Sequence, residues 1–248
     1  MKIITWNIRG LNSSRKLDVN RNFVREHKPD FLLLQETKME KERDEQIKVV
    51  KDYYVKVNSS EGTLGGTLML WKNSYYLGTV LNTSKHFIVV KITSIDQKNV
   101  WYILNTYALN LKNSRKKVWE TLSHIKSKFY FARWIFLGDF NVPLYDHEKK
   151  GGNASQLDGR LDLMDFINKE GLMDLDLHGI QFTWINKRIG NDCIQAHLDR
   201  ALISPDWTKD FIRKLEASQK IGSNHFPLIF NADKVNFKEN FPFRFEKM

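Results

Sequence analysis

The chain has 248 residues, with 39 lysines and arginines against 29 aspartates and glutamates, which gives a formal net charge of +10. This excess of positive charge favours a polyanionic partner, and solubility alone is the alternative explanation for it. Hydrophobic residues make up 42% of the sequence, which excludes a largely disordered chain, and no apolar run or N-terminal signal pattern indicates membrane insertion or secretion. Cys193 is the only cysteine, so the chain cannot form an intramolecular disulfide. A chain without disulfides suits a reducing compartment.

The elements follow from apolar periodicity and turn signals. Two helices are predicted, one capped by Ser114 and one between about Gly159 and Gly171; the first buries Val118, Leu122, Ile125 and Phe129 at helical spacing. Strands are predicted, in chain order, at Lys2–Trp6, Phe31–Gln35, Thr67–Trp71, Phe87–Thr93, Trp101–Tyr107, Trp134–Asp139, Phe182–Ile185, His197–Ile203 and Phe226–Phe230. This order predicts one α/β domain at 1–233, with two sheets packed face to face under outer helices, and a connector at 234–248.

The most informative segment is the apolar strand at 134–139, which ends in the sequence Gly-Asp-Phe-Asn. Strand alternation predicts that the side chains of Asp139 and Asn141 lie on the same side of the chain. A carboxylate can take or position a proton, and a carboxamide can donate hydrogen bonds to a phosphate oxygen. The pair therefore indicates phosphoryl chemistry.

Polar residues also follow the other predicted strands, where loops gather at one rim of a sheet. Glu36 follows a buried strand, and it suits either a Mg²⁺ ligand or an ordinary exposed glutamate at a strand end. Tyr107 and Asn110 can donate to phosphate, although a tyrosine here can also be a core aromatic. The sequence fragments are TWNIRG at 5–10, LLQET at 33–37, NTYALN at 105–110, LDR at 198–200 and SNHFP at 223–227.

This order of motifs resembles the endonuclease/exonuclease/phosphatase superfamily, which includes DNase I, exonuclease III and the apurinic endonucleases. The resemblance extends from Lys2 to about Phe230. The segments at 1–12, 179–184 and 243–248 are most similar to the endonuclease domain of plant LINE-type non-LTR retrotransposons, in which the last segment leads toward a reverse transcriptase. The resemblance implies a four-layered α/β/β/α sandwich of the DNase I-like type and a nuclear domain of a larger polyprotein.

The resemblance also implies a role for each motif residue. Asp139 would activate the attacking water or protonate the leaving 3′ oxygen, and Asn141 would orient the phosphate. His225 would pair with Asp199 and offset charge on a pentacovalent phosphate. Glu36 and Asn7 would hold a Mg²⁺ ion, with Mn²⁺ as the alternative. Tyr107, Asn110 and Asn7 would bind the phosphate.

One position departs from the pattern, because relatives usually carry Asp-His where this chain has Asn224-His225. Asn224 is nearly isosteric with aspartate, but it is uncharged, cannot act as a base and is a weaker ligand for a hard cation. Either the position was altered to trap a nuclease on DNA, or the chain is a naturally weakened copy. We expect the fold and DNA binding to persist and cleavage to fall strongly. Leu109 is a smaller departure, because relatives often have proline there.

The sequence thus predicts a Mg²⁺-dependent endonuclease that nicks one strand of double-stranded DNA and leaves a 3′-hydroxyl primer for the adjoining reverse transcriptase. A hairpin at 186–192 with Lys187 and Arg188 near its tip is a candidate for minor-groove contact or an ordinary surface hairpin. Arg9 and Arg115 are candidates for phosphate contact. The alternatives are a phosphatase or RNA nuclease of the same superfamily, and a DNA-binding domain without catalysis.

Overall fold

The computed structural model describes residues 1–39, 51–60, 65–109, 112–152 and 159–234. Four α-helices lie in this part of the chain: α1 (Ser14–His27), α2 (Lys112–Ser127), α3 (Arg160–Lys169) and α4 (Trp207–Asp210). The strands in the same residues, numbered in chain order, are β1 (Lys2–Asn7), β2 (Phe31–Gln35), β3 (Tyr53–Asn58), β4 (Thr67–Lys72), β5 (Tyr76–Ser84), β6 (Phe87–Ser94), β7 (Val100–Tyr107), β8 (Trp134–Asp139), β9 (Lys149–Lys150), β10 (Met173–Asp174), β11 (Leu177–His178), β12 (Trp184–Ile185), β13 (Gln195–Ala196), β14 (Asp199–Ile203), β15 (Phe211–Ala217) and β16 (Leu228–Lys234).

These strands form two large sheets and one small one. The first large sheet has the order β11-β15-β16-β1-β2-β4-β3, and the second has the order β10-β14-β8-β7-β6-β5. The small sheet has the order β12-β13-β9. The pairs β1–β2 and β7–β8 are parallel, and they lie near the middle of their sheets. Parallel neighbours end at the same edge, so the polar residues that follow them are brought close together.

In the described part of the chain, three apolar clusters hold the layers together. The central cluster lies between the two sheets and includes Ile3 and Phe31 from one sheet and Ile103 and Ile135 from the other. A second cluster packs α2 and α3 on the outer face of the six-stranded sheet, and a third packs α1 on the seven-stranded sheet. The predicted α/β/β/α sandwich is therefore confirmed. No helix in the described ranges is long and apolar enough to cross a membrane.

The helix boundaries differ in part from the predicted ones. Ser114 lies inside α2 and does not cap it, because the helix begins at Lys112. Phe129 lies beyond the end of that helix, but it still packs against its cluster. Gly159 precedes α3 with φ +91°, and Gly171 follows with φ +61°, so glycine marks both ends as predicted.

Some strands were missed or misplaced. β12 begins at Trp184 and β14 at Asp199, each two residues later than predicted. The helix α1 and the strands β3, β5 and β15 were missed because their exposed faces break the apolar pattern. β16 extends to Lys234, and the rest of the predicted connector lies outside the described residues.

Candidate active site

Three candidate residues lie in one row across the six-stranded sheet. In the pairing of β7 with β8, Tyr107 is opposite Asp139, and in the pairing of β8 with β14, Asp139 is opposite Asp199. All three side chains are buried. Gly138 allows this close packing, since a Cβ added there would lie 2.0 Å from the carbonyl oxygen of Thr106. The backbone thus requires a glycine before the central carboxylate.

Asp139 is the most highly connected member of the row. Its Oδ2 accepts a hydrogen bond from Nδ2 of Asn7 (2.8 Å), and its Oδ1 accepts one from the backbone N–H of Asn141 (2.9 Å). Burial raises the pKa of Asp139 to about 7; His225 and these two hydrogen bonds lower it, and Asp199 raises it further. A carboxyl group with a pKa near neutrality can both accept and release a proton there, as general acid–base chemistry requires.

His225 forms the predicted pair with Asp199. Its Nδ1 lies 2.9 Å from Oδ2 of Asp199, while its Nε2 lies 3.9 Å from Oδ2 of Asp139. Burial lowers the pKa of His225, but Asp199 and Asp139 together outweigh that effect and raise it. The hydroxyl of Ser223 accepts a hydrogen bond from the backbone N–H of His225 (3.2 Å) and donates one to the backbone carbonyl of Asn7 (2.7 Å). The imidazole is thus fixed in orientation and favoured in its charged form.

A second group of residues lies where β1 and β2 end. The carboxylate of Glu36 lies 3.4 Å from Nε of Arg9 and is hydrogen-bonded to the hydroxyl of Tyr107. Burial, followed by the charges of Glu36 and Asp139, raises the pKa of that phenol, so it remains a donor. The N–H of Gly10 donates to the carbonyl of Glu36 (2.6 Å), which joins the loops that follow the two strands.

The described residues contain one group that can hold a metal ion. The ligand atoms of Asp139, Asp199 and His225 all lie within 4.8 Å of one another, and Glu36 is outside this group. The Oδ1 of Asn224 is buried and, among the described residues, has no hydrogen-bond partner. Buried carboxylates and an orphaned amide oxygen on the residue before His225 are oxygen donors of the kind that a hard divalent cation prefers. The oxygen of Asn7, a predicted ligand, instead accepts the N–H of Arg9 (3.2 Å).

Two further predicted site residues have other contacts than expected. Asn141 has φ +55°, so strand alternation does not orient it, and its Nδ2 donates to the carbonyl of Ala108 (2.5 Å). Arg115 was predicted to contact phosphate, but it is buried and donates to the carbonyls of Leu109 (3.0 Å) and Asn141 (3.4 Å). These contacts hold the site loops together. Asn110 lies outside the described residues.

The predicted hairpin at 186–192 is present. Trp184 of β12 pairs with Ala196 of β13, and Trp184 also forms a β-bridge with His225, which attaches the hairpin to the active site. The side chain of Asn186 stiffens the turn, because Oδ1 accepts the N–H groups of Arg188 (3.1 Å) and Ile194 (3.0 Å). Lys187 and Arg188 are exposed on it.

Sequence reasoning missed a buried ionic group behind the site. Arg200 follows Asp199 on β14 and is 1% exposed. Its Nη1 donates to Oδ2 of Asp174 (2.6 Å), and its Nη2 donates to Oε2 of Glu148. The same Glu148 oxygen accepts the N–H of Leu144 (2.6 Å). The charged residue directly after Asp199 in an apolar strand was the available signal, since a strand arginine of that kind needs a buried partner.

His197, which matched no motif, gives the folded protein a pH dependence. Burial and then Arg200 lower the pKa of His197 from 6.5 to about 4. The unfolded chain therefore binds a proton before the folded chain does, and the stability present above pH 6.5 is lost as the pH falls toward 4. We expect the free energy of unfolding to fall by about 2 kcal/mol between pH 7.5 and pH 5 because of His197.

Urea unfolding of the parent and of His197→Gln at both pH values measures that cost. The difference between the two proteins should grow on acidification, while His178→Gln, at an exposed position, should follow the parent. Parallel pH dependences of the parent and His197→Gln would contradict the assignment.

A two-sheet α/β sandwich with a buried aspartate–histidine–aspartate cluster at its rim has the fold and the site of a DNase I-like phosphoester hydrolase. The sequence profile of the Endonuclease/Exonuclease/phosphatase family matches residues 4–225. The chain therefore belongs to this family, whose members are hydrolytic nucleases and phosphatases.

Individual relatives are distant but cover nearly the whole chain. An exodeoxyribonuclease of Bacillus subtilis (strain 168) is 23% identical over 252 residues, covering 92% of this chain and 98% of its own length. The AP endonuclease LMAP from Leishmania major superposes with a TM-score of 0.75 and 19% identity, over 92% of this chain and 86% of its own. The endonuclease domain of TRAS1, a telomere-specific non-LTR retrotransposon, superposes with a TM-score of 0.71 and 18% identity, over 93% and 97% of the respective chains.

Proposed function

We propose that this chain is a divalent-metal-dependent DNA endonuclease domain of a LINE-type retrotransposon, which nicks one strand to leave a 3′-hydroxyl primer. The observation that carries the proposal is the buried cluster of Asp139, His225 and Asp199. The net charge of +10 supports a DNA substrate. Likeness to the TRAS1 endonuclease domain over nearly the full length of both chains supports the retrotransposon assignment.

The residues of the cluster divide the chemistry among them. Asp139, with its pKa near 7, takes the proton of the attacking water or returns one to the leaving 3′ oxygen. Asp199 holds the Nδ1–H of His225, so that the charged imidazole offsets negative charge on the phosphate. Tyr107 adds a phenolic donor. A Mg²⁺ or Mn²⁺ ion at Glu36, the metal ligand that the sequence predicts, would supply further positive charge to the phosphate.

The wider assignments follow from the same proposal. Residues 1–233 form the nuclease, the chain leads toward a covalently adjoining reverse transcriptase, and the 3′-hydroxyl primes reverse transcription there. Because its target would be chromosomal DNA, the protein works in the nucleus.

The substitution Asp139→Asn tests the proposal directly. It removes the proton acceptor but retains the shape of the side chain, so we expect nicking of supercoiled plasmid to fall by about 10²–10⁴-fold. Duplex binding in a band-shift should be unchanged, and Asp96→Asn, on an exposed turn, should nick like the parent. Equal nicking by Asp139→Asn and the parent would refute the assignment, and release of inorganic phosphate from inositol polyphosphates would favour a phosphatase.

A second candidate is a DNA-binding domain without useful cleavage, and the uncharged Asn224 beside His225 favours it. This function predicts a band-shift with duplex DNA by the parent and no nicking at any Mg²⁺ or Mn²⁺ concentration. Detectable nicking that Asp139→Asn abolishes would exclude it.

The hairpin gives a prediction that needs no cleavage. Lys187 and Arg188 are both exposed, and each cation that contacts a phosphate contributes about 0.9 to the slope of log K against log salt concentration. The double variant Lys187→Ala/Arg188→Ala should therefore reduce the slope for duplex binding by about 1.8. A matched control, Lys169→Ala/Lys209→Ala, removes two exposed cations elsewhere. If the two double variants change the slope equally, the hairpin is an ordinary surface feature.

A further inference from the structure

A groove lies at the end of the six-stranded sheet opposite to the active site. It has a volume of about 570 Å³ and lies between the start of β7 and the segment at 128–133 that joins α2 to β8. β7 runs from Val100, at the groove, to Tyr107, at the active site, a length of about 23 Å. A ligand in the groove is therefore separate from a duplex at the catalytic row.

Two aromatic rings border this groove and remain in solvent. Phe131 is 93% exposed and Tyr130 is 69% exposed. The two rings make an edge-to-face contact with centroids 5.2 Å apart, and the ammonium group of Lys126 lies 5.5 Å from the centre of the Tyr130 ring. These two rings contribute little to the core, and they leave a flat apolar surface beside the groove that a ligand can contact.

The charge of the groove is positive. Among the described residues, its lining includes Lys98, Lys128 and Arg133 and no carboxylate. Arg133 is held by an ion pair with Asp210, and Lys126 by one with Glu170 at 3.5 Å, so these two cations are fixed in place. Since Asp210 offsets the charge of Arg133, Lys98 and Lys128 supply the positive charge beside the flat aromatic surfaces.

We propose that this groove binds single-stranded nucleic acid. Bases stack on Phe131 and Tyr130, and the phosphates between them contact Lys98 and Lys128. Stacking on aromatic rings beside a cationic track is how proteins bind single strands without regard to sequence, because every base has a π-face. In double-stranded DNA the bases are stacked inside the duplex and cannot stack on such rings. This distinguishes the groove from the nuclease site. An inorganic anion would need the cations but not the rings.

Fluorescence anisotropy with a 5′-fluorescein-labelled uridine dodecamer tests the site. The variant Phe131→Ala should weaken binding about 5–150-fold, the range for loss of one stacked base, and Phe131→Tyr should restore it. A matched control, Tyr54→Ala, removes a ring that is 54% exposed at an edge of the other sheet, and it should bind like the parent. The variants should nick plasmid DNA and bind duplex DNA like the parent, whatever the nuclease site does.

Three results would overturn the proposal. The first is that the parent does not bind the dodecamer, and the second is that Phe131→Ala binds it as tightly as the parent. The third is that an unlabelled duplex displaces the dodecamer completely, which would place the single strand in the active site. Because plasmid nicking is measured separately, failure of this site leaves the proposed endonuclease intact, and failure of nicking leaves this site intact.

Discussion

Asn224→Asp should raise the rate of plasmid nicking in Mg²⁺ by about 10²-fold or more, the scale on which an active-site acid or base contributes. The amide oxygen of Asn224 is buried and, in the described part of the chain, lacks a hydrogen-bond partner. A carboxylate would place a full negative charge at that oxygen, next in sequence to His225. The added charge strengthens the attraction for a divalent cation and favours the charged imidazole.

The substitution should change little else in the fold. The backbone carbonyl of Asn224 already accepts the N–H of Ile185 (3.0 Å), and aspartate retains that bond and nearly the same volume. Initial rates of nicking by the parent, Asn224→Asp and the double variant Asn224→Asp/Asp139→Ala measure the effect. The gain should appear in the single variant and vanish in the double variant. If Asn224→Asp nicks no faster than the parent, another feature limits cleavage.

The second large effect is on stability, since Arg200→Met should lower the unfolding free energy by about 3–5 kcal/mol. The guanidinium group lies between the carboxylates of Glu148 and Asp174, which are 8% and 26% exposed. Desolvation raises the pKa of Asp174 despite Arg200, while the paired Arg200 lowers that of Glu148 against the same desolvation. Removal of the cation leaves the buried carboxylate of Glu148 and the half-buried carboxylate of Asp174 without their shared partner. Of the two, among the described residues, Glu148 keeps hydrogen bonds from backbone N–H groups, those of Leu144 and Tyr145.

Urea unfolding at pH 7.5 measures this loss. A matched control is Arg160→Met, which breaks an exposed ion pair with Asp146 and should cost less than about 1 kcal/mol. In the double variant Arg200→Met/Glu148→Gln the loss should be smaller than the sum of the two single losses, because one uncompensated charge is removed with the other. Additive losses would show that Arg200 and Glu148 stabilise the fold independently.

The strands that carry the site were well predicted from the sequence, because each of them is buried along its whole length or ends in a polar motif. The apolar runs before Gln35 and Gly138 fixed the positions of Glu36 and Asp139 in the chain. The pairing of His225 with Asp199 was available from the resemblance alone, since 26 residues separate them and no local pattern joins them.

Other parts depended on contacts that local patterns do not encode. Arg115 on α2 contacts two loop carbonyls, and the left-handed backbone at Asn141 accompanies the hydrogen bond from its N–H to Asp139. The ion group around Arg200 joins three segments that are distant in sequence. Exposed strands such as β3 and β5 alternate too weakly to be recognised, as edge strands often do.

The strand β14 has a consequence for how this domain tolerates changes in chain length. Asp199 and Arg200 are adjacent, and strand alternation directs them to opposite faces of the sheet. A one-residue insertion or deletion that shifted the register would carry the guanidinium to the His225 side and the carboxylate to the side of Glu148 and Asp174. One slip would thus remove the catalytic pair and bring three carboxylates together, so we expect this domain to tolerate a change of length in the loops on either side of the strand and not within it.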